Sequence, residues 1–372
     1  MRILVVNWND RDNPYGGGAE VHLHEIFGRL ASSGNRVDLL ASGWSGASQR
    51  GFLDGIDIHR VGTRYTFPFY ARRYYRERLA AQHYDVIVED LNKIPLYIPR
   101  WGKTQVVVLV HHLFGPMIFR EAIPPMAAAV WIAERGISSV YRGVPFEAVS
   151  ESTADDLVAR GIPRKNVKVI YNGMDSEFFT PAPDMRSPFP LFTYVGRLKR
   201  YKGVNLILQA FALVDSPNAR LEIAGAGDFR DELEHLTDKL GLRDRVRFLG
   251  FISPEEKRDL LRRSWATVFA SPKEGWGLTN LEAQACGTPA IASDSPGLRE
   301  SLINGETGFL VPHADTVALA AAMRKVAGSP NIVEKFGTAG RRFAERFTWD
   351  RAATETLSHL KQVVQRGNGQ WT

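Results

Sequence analysis

Cysteine is almost absent: Cys286 is the only one in a chain of 372 residues. A lone thiol builds neither an internal disulfide nor a thiolate metal cage, so the fold rests on packing and suits a reducing compartment. Flanked by Ala285 and Gly287, it reads as a small buried residue and not as a nucleophile. Long apolar runs are missing too, and no stretch approaches the roughly 18 apolar residues that a spanning helix requires. The apolar start at residues 3–6 gives way at once to Asn7, Asn9 and Asp10. It therefore reads as a buried strand, since a secretory leader needs roughly 7 to 15 apolar residues. These absences point to a cytoplasmic protein. No low-complexity tract and no repeated sequence is present, and neither sign of charge dominates. With 47 basic and 41 acidic residues the net charge is +6, which suits an anionic ligand or surface and requires no nucleic acid.

What the chain holds in quantity is apolar material, 44% of its residues with eight tryptophans. That fills two cores more readily than one, because single cores stop growing before roughly 250 to 300 residues. Periodicity predicts strands at 3–6, 37–40, 56–61, 86–88, 105–110, 146–149 and 167–170. Between them fall a helix over about 19–33, a long helical region over 117–141, and a helix begun by Ser150 and Ser152. Strands separated by helices imply a parallel sheet. Residues 178–190, with Pro181, Pro183, Pro188 and Pro190, resist both helix and sheet and are expected to link two domains. A second series follows, with strands at 191–195, 220–224, 246–249, 267–270 and 289–292. Two doubly wound α/β domains in succession place their ligand sites at the carboxyl ends of the strands, with the active site expected between the domains.

Three loops at such strand ends carry residues suited to a phosphorylated ligand. Gly16, Gly17 and Gly18, followed by Ala19 and Glu20, lie between the first strand and the first helix. Glycines there let backbone N–H groups approach a phosphate, although the spacing alone equally describes a flexible turn. Gly196 and Arg197 open a loop that ends at Lys202 and Gly203. A guanidinium and an ammonium in that place can neutralise a diphosphate, the alternative being a solvated basic loop. The third loop runs from Glu274 through Gly275, Trp276, Gly277, Leu278 and Thr279 to Glu282. It sets two carboxylates on either side of a helix N-terminus opened by glycines. One can accept hydrogen bonds from sugar hydroxyls and the other from ribose hydroxyls, with backbone amides holding the charge between them. This suits a nucleotide sugar; a merely capped helix explains neither the glycines nor the flanking Ala285, Cys286, Gly287, Thr288 and Pro289.

The third segment resembles the E-x7-E signature of the retaining glycosyltransferases of the GT-B fold, family 4. Ser150 after a strand, Asn172 to Asp175, the loop 196–203, Gly225 with Gly227, and residues 304–312 follow in that family's order, and the match covers nearly the whole chain. The resemblance implies a GT-B architecture, two doubly wound Rossmann-like domains facing each other across a cleft. Residues 1–178 would form the acceptor side and 190–346 the nucleotide-sugar donor side, with a helix over about 347–366 crossing back to the first. It further implies that Glu274 binds hydroxyls of the donor sugar, Glu282 the ribose, and Arg197 and Lys202 the diphosphate. The backbone of Gly275, Trp276, Gly277 and Leu278 would hold the phosphates, with Gly196 and Thr279 in the same donor site. His111, with His112 beside it, matches the histidine next to the reacting sugar, and Gly17 and Gly18 match the glycine loop near the reaction centre. His111, Arg197, Lys202 and Glu274 are thus the candidate catalytic residues. In the segment from Ser295 to Glu300 only Gly297 is glycine where many relatives have two, which weakens any carry-over of a role to Arg299 and Glu300.

By the same resemblance the enzyme moves a hexose, with retention, from a donor of the UDP-glucose or GDP-mannose type to a hydroxyl of a sugar, small-molecule or lipid-linked acceptor. The nucleotide sugar is a co-substrate, and no metal or other cofactor is expected; Asp10 and Asp12 form the one D-x-D match that argues otherwise. Two rivals share the architecture, a nucleotide-sugar 2-epimerase and a non-catalytic nucleotide-sugar-binding subunit. The glycine loop together with E-x7-E speaks against the first, and the retained His111, Arg197, Lys202, Glu274 and Glu282 against the second. One window remains outside these motifs. At residues 60–78, Arg60, Arg64, Arg72, Arg73, Arg76 and Arg78 face Glu77 alone, interleaved with Tyr65, Phe67, Phe69, Tyr70, Tyr74 and Tyr75. As a helix from Phe69 it sets Tyr70, Ala71, Tyr74, Tyr75 and Leu79 on one face and Arg72, Arg73 and Arg76 on another. That pattern fits a peripheral contact with an anionic membrane on the cytoplasmic face, a negatively charged acceptor, or a helix packed by its tyrosines with solvated arginines.

Overall fold

The computed structural model describes residues 1–91, 94–120 and 124–368. The chain falls into two compact units, Met1–Asn172 with Trp349–Thr372, and Gly173–Thr348.

In the first unit the elements in chain order are β1 (Arg2–Val6), α1 (Gly18–Ser32), β2 (Arg36–Ser42), β3 (Arg50–Leu53), β4 (Ile56–Val61), α2 (Phe67–Tyr74), β5 (Val86–Leu91), β6 (Gln105–Val110), α3 (Pro124–Arg135), α4 (Ile137–Val140), β7 (Phe146–Ala148), α5 (Glu151–Ala159) and β8 (Val167–Val169). They build an eight-stranded sheet in the order β3-β4-β2-β1-β5-β6-β7-β8, in which β3 alone runs antiparallel to its neighbour. Strand order reverses between β1 and β5, the place where a doubly wound sheet binds its ligand beyond the carboxyl ends of its strands. All six residues of β5 are buried, as a strand covered on both faces must be. The helix expected after Ser150 forms as α5, where the Ser150 hydroxyl accepts from Thr153 N at 3.1 Å.

The long helical region expected over 117–141 is broken, and residues 121–123 of it lie outside the described residues. A 3₁₀ turn over Gly115–Arg120 precedes α3, which starts on Pro124 and Pro125, and Gly136 separates α3 from α4. At that junction the carbonyl of Ala133 accepts from Gly136 N at 3.1 Å and from Tyr97 Oη at 2.7 Å. A carbonyl so engaged is poorly placed to continue the α-helical ladder, so the helix restarts one residue later.

The second unit holds β9 (Leu191–Val195), α6 (Val204–Ala212), β10 (Arg220–Ala224), α7 (Arg230–Lys239), β11 (Val246–Gly250), α8 (Pro254–Arg263), β12 (Ala266–Phe269), α9 (Leu278–Ala285), β13 (Ala290–Ser293), β14 (Gly308–Val311), α10 (Thr316–Ala327) and α11 (Pro330–Ala344). Its six strands are ordered β11-β10-β9-β12-β13-β14, all parallel, and the order reverses between β9 and β12. Val204, Ile207, Leu208 and Phe211 of α6 are buried against Phe192, Leu221 and Ile223 of the sheet, each fully buried side chain contributing about 1.5–3 kcal/mol. Ser253 and Glu256 close a reciprocal cap at the start of α8, with bonds of 3.1 and 2.7 Å.

The proline-rich stretch is not a free linker. The passage between units lies earlier, at Asn172 and Gly173, and residues 178–190 are stitched to the second unit. Arg186 donates to Thr288 Oγ1 at 2.7 Å and Gly287 O at 2.9 Å, and Trp265 Nε1 donates to Ser187 O at 2.8 Å. Prolines cannot donate to a ladder, so side chains of the stretch and of the surrounding elements supply the bonds. Met174 and Thr348, near the two ends of this unit, form an isolated parallel bridge. The last element, α12 (Trp349–Asn368), belongs to the first unit and lies against α1 and β6. It is held by the buried Glu147 of β7, which accepts from Thr356 Oγ1 at 3.2 Å and meets His359 Nδ1 at 2.7 Å.

Candidate functional site

In the second unit the loops leaving β9 and β12, the strands flanking the reversal point, bring the sequence-derived residues together. After β9 the chain passes Gly196 and Arg197 into a 3₁₀ turn over Arg200–Lys202 and enters α6. After β12 it passes Glu274 and enters α9 at Gly277. Lys202 Nζ reaches both oxygens of Glu274, at 2.6 and 2.7 Å, with both side chains largely buried. Three carboxyl ends are tied together below this pair: Ser271 Oγ donates to Lys202 O at 3.3 Å, and Ser295 Oγ to Ser271 O at 2.8 Å. Tyr194 Oη pins the first loop by donating to Arg197 O at 3.0 Å. Burial, and then the neighbouring Glu274 charge, hold the Tyr194 pKa well above its ordinary value, so it stays a donor.

Glu274 is fixed by its backbone, its N–H donating to Pro296 O at 3.0 Å. Gly297 makes that approach feasible: its φ is +82°, and a Cβ there would stand 2.2 Å from Glu274 O. The single glycine of that segment therefore has a defined task. The start of α9 is anchored as well, since Asn280 Nδ2 donates to Ser301 Oγ at 2.8 Å and Gln284 Nε2 to Ser301 O at 2.7 Å. Glu282 is ion-paired with Lys257 of α8, and the Trp276 ring is buried against Phe347 with centroids 5.2 Å apart. Arg197 is exposed, its guanidinium donating to Tyr201 Oη at 3.3 Å. A helix N-terminus with an ammonium and a guanidinium nearby can hold an anion, and the carboxylates on its two sides can accept from hydroxyl groups.

In the first unit a second cluster lies at the carboxyl ends of β1, β5 and β6. His111 follows β6, and its Nε2 lies 3.3 Å from Oδ1 of the buried Asp90 on β5. From α1, His22 meets the His111 ring edge-on, with centroids 4.9 Å apart, and also touches Trp349. Glu20 accepts from Gly17 N at 2.6 Å and from the side-chain amides of Asn9 at 3.3 Å and Asn7 at 3.4 Å. Burial works against a charged His111, but Asp90 and Glu20 outweigh it and raise its pKa above the ordinary value. His22 has no such carboxylate among its influences, and burial followed by the charge of His111 puts its pKa well below the ordinary value. The loop beyond His111 is bracketed by the buried Glu134, which accepts from Phe114 N and Gly115 N at 2.8 Å each and pairs with Arg160 at 3.1 Å.

The comparisons with known proteins agree with one another. Residues 175–343 match the glycosyl transferases group 1 family and residues 16–178 match glycosyltransferase family 4. The chain belongs to the GT-B glycosyltransferases of family 4. An uncharacterized glycosyltransferase of Methanocaldococcus jannaschii is 25% identical over 405 residues, covering 98% of this chain and 99% of that protein. A D-inositol 3-phosphate glycosyltransferase of Streptomyces bingchenggensis is 32% identical over 65% of this chain, the match spanning 57% of the relative's own length. Among solved structures, Anabaena HepE in complex with UDP and glucose superposes with a TM-score of 0.80 at 19% identity, covering 97% of this chain and all of that one.

This glycosyltransferase thus divides its candidate residues between the units. Gly196, Arg197, Lys202, Glu274, Gly275, Trp276, Gly277, Leu278, Thr279 and Glu282 lie in the second unit, and Gly17, Gly18 and His111 in the first. The backbone N–H of Gly17 is engaged by Glu20, while beyond Gly18 a Cβ would meet nothing within 4 Å. His111 sits in the buried cluster; His112 is half-buried with its ring on Phe114. Cys286 is buried and its thiol is pushed up to about 12 by that burial, so no thiolate is offered. Sequence reasoning missed Asp90, His22 and the Lys202–Glu274 pair. Of these, only the burial-prone strand end carrying Glu89 and Asp90 left a visible signal.

Two expectations change in the arginine window. Arg60 is not part of an exposed basic surface: it is buried, donating to Asp10 at 2.7 and 2.9 Å and to Asp12 at 3.0 Å. The two D-x-D carboxylates thereby share one guanidinium. Nor do all the tyrosines share one buried face. Phe67, Ala71, Tyr75 and Leu79, four residues apart, are buried, whereas Tyr70 is 51% and Phe69 78% exposed, because neighbouring positions of a helix turn away from such an i, i+4 face; past Tyr74 the helix continues as a π turn over Tyr75–Leu79. Arg72, Arg73 and Arg76 are exposed, with Arg73 bonded to Glu77 at 2.8 Å. Among the described residues no helix is long and apolar enough to cross a membrane.

Proposed function

We propose that the chain is a retaining hexosyltransferase that takes its sugar from a nucleoside diphosphate donor and delivers it to a hydroxyl acceptor. The observation that carries the reading is the Lys202–Glu274 pair beside the start of α9, at the strand-order reversal of the second sheet. A diphosphate on the α9 amides would draw Lys202 and Arg197 to itself, releasing Glu274 to the sugar hydroxyls, with Glu282 serving the ribose. In the reaction the bond from the anomeric carbon to the diphosphate oxygen breaks, the acceptor oxygen attacks the same face, and the departing phosphate takes the acceptor's proton. The protein positions the partners and stabilises charge, with His111 beside the sugar. UDP-glucose is the first donor to test, because HepE was solved with UDP and glucose; GDP-mannose is the second. The test is a donor screen that follows nucleotide diphosphate release, with the anomeric configuration of the product read by NMR. Release without a new glycoside, or an inverted product, would overturn the reading.

Transfer is expected to survive EDTA, since Lys202, Arg197 and a helix N-terminus can carry the diphosphate charge and Asp10 and Asp12 are held by Arg60. Loss of turnover restored only by Mg²⁺ or Mn²⁺ would show that a cation is required. The acceptor is proposed to be a sugar, a small molecule or a lipid-linked hydroxyl, with Arg72, Arg73 and Arg76 offering a peripheral contact to an anionic membrane. Exposed Phe69 and Tyr70 beside these arginines suit the headgroup region. Replacing the three arginines by glutamine is expected to cost about 1 kcal/mol of vesicle affinity each, with binding falling as salt rises. If wild-type protein fails to co-sediment with anionic vesicles at low salt, the window is ordinary surface.

A further inference from the structure

We propose that Asp90 is a positioning residue for His111: its carboxylate takes the Nε2 side of the ring and leaves Nδ1–H for the substrate. The proposal rests on the glycosyl-transfer reading of the site but concerns groups of the first unit alone. Asp90 is the penultimate residue of β5 and its side chain is fully buried. It stands opposite Leu109 in the register with β6, so His111, which follows that strand, emerges next to it. Among the described residues neither oxygen of Asp90 has a hydrogen-bond partner, and neither does His111 Nε2; the two groups face each other at 3.3 Å. A buried carboxylate without compensation is costly, and the imidazolium of His111 is the compensation within reach.

The neighbouring groups act in the same sense. From α1, Glu20 adds a second negative charge near His111, while His22, edge-on to the ring, is kept neutral by burial. The two histidines form an internal comparison: both are buried, 4.9 Å apart, and only His111 faces a carboxylate at ion-pair distance within this cluster. With Nε2 committed, the remaining ring nitrogen offers a charge-assisted N–H to a sugar or acceptor oxygen, stronger than a neutral donor would give. Without Asp90 the ring would resemble His22, uncharged and free to adopt either tautomer.

The test compares the full-length wild type with Asp90→Asn and Asp90→Glu. Side-chain nitrogen NMR reads the His111 titration and tautomer, and transfer kinetics are followed from pH 6 to 9. A carboxylate that raises the His111 pKa keeps its proton on to higher pH, so removing it means the proton leaves earlier as pH rises. Asp90→Asn should lower the His111 midpoint by about one pH unit or more, move the basic limb of kcat down with it, and cut kcat at pH 8 by about tenfold or more with donor KM within about twofold. Asp90→Glu should keep the raised midpoint. An unchanged midpoint and tautomer in Asp90→Asn overturns the proposal. Should that variant fail to melt cooperatively, Asp90→Glu decides alone: a His111 midpoint at or below the ordinary histidine value overturns it. The NMR arm needs no turnover, so a wild type that releases no nucleotide from any donor would sink the transfer reading and leave the Asp90 result standing or falling by itself.

Discussion

Replacing Glu274 by alanine is expected to lower transfer by about 10²-fold or more, because a carboxylate beside a developing sugar cation stabilises charge that appears only in the transition state. The fold should survive. The loop is held by the Glu274 N–H on Pro296 O and by the passage of Gly297, neither of which involves the side chain. The same change frees Lys202 from its partner, so nucleotide diphosphate affinity should hold or rise while kcat collapses. That divergence separates a transition-state role from simple damage. The measurement is kcat and KM by nucleotide release, with a melting curve for each protein; near-normal turnover in the mutant would remove Glu274 from the site.

The second large effect is structural. Gly227→Ala places a Cβ 2.1 Å from Leu198 O and 2.6 Å from its carbonyl carbon, so backbone must move against backbone. The loop carrying Arg197 is fastened to the same segment by Leu198 N on Ala226 O at 2.9 Å and Phe229 N on Leu198 O at 3.1 Å. The clash is expected to cost about 3 kcal/mol or more and to lower the melting temperature by roughly 6–12 °C. Donor affinity should fall with it, because Arg197 and Lys202 sit on the displaced loop. Wild-type melting and donor binding in this mutant would show that the two loops can separate freely.

The sequence made the two αβ series legible because parallel strands buried on both faces carry short apolar runs, as residues 3–6 of β1 and 86–88 of β5 do. The junction of Glu274 with α9 was legible because glycines, carboxylates and a helix start fall within one short segment. What remained hidden were contacts between residues distant in the chain. Nothing local joins Lys202 to a glutamate 72 positions on, or Arg60 to Asp10 and Asp12. A charge run therefore misled by one arginine, since the sequence cannot say which guanidinium is turned inward. The break between α3 and α4 was hidden for the same reason: it answers to Tyr97, which arrives from a different loop. The placement of the interdomain passage failed differently. Prolines signal the absence of regular structure, and in residues 178–190 irregular chain is bound to its domain through arginine and tryptophan side chains.

The bridge between Met174 and Thr348, reinforced by Met174 N on Phe347 O at 3.0 Å, has a meaning for how this chain can be rebuilt. The second unit begins and ends at one spot, so topologically it is a closed cassette spliced into its host between Asn172 and Trp349. Residues 173–348 are accordingly expected to fold when expressed by themselves, and to tolerate rejoining end to end and reopening at a surface loop, since neither change stretches an internal strand.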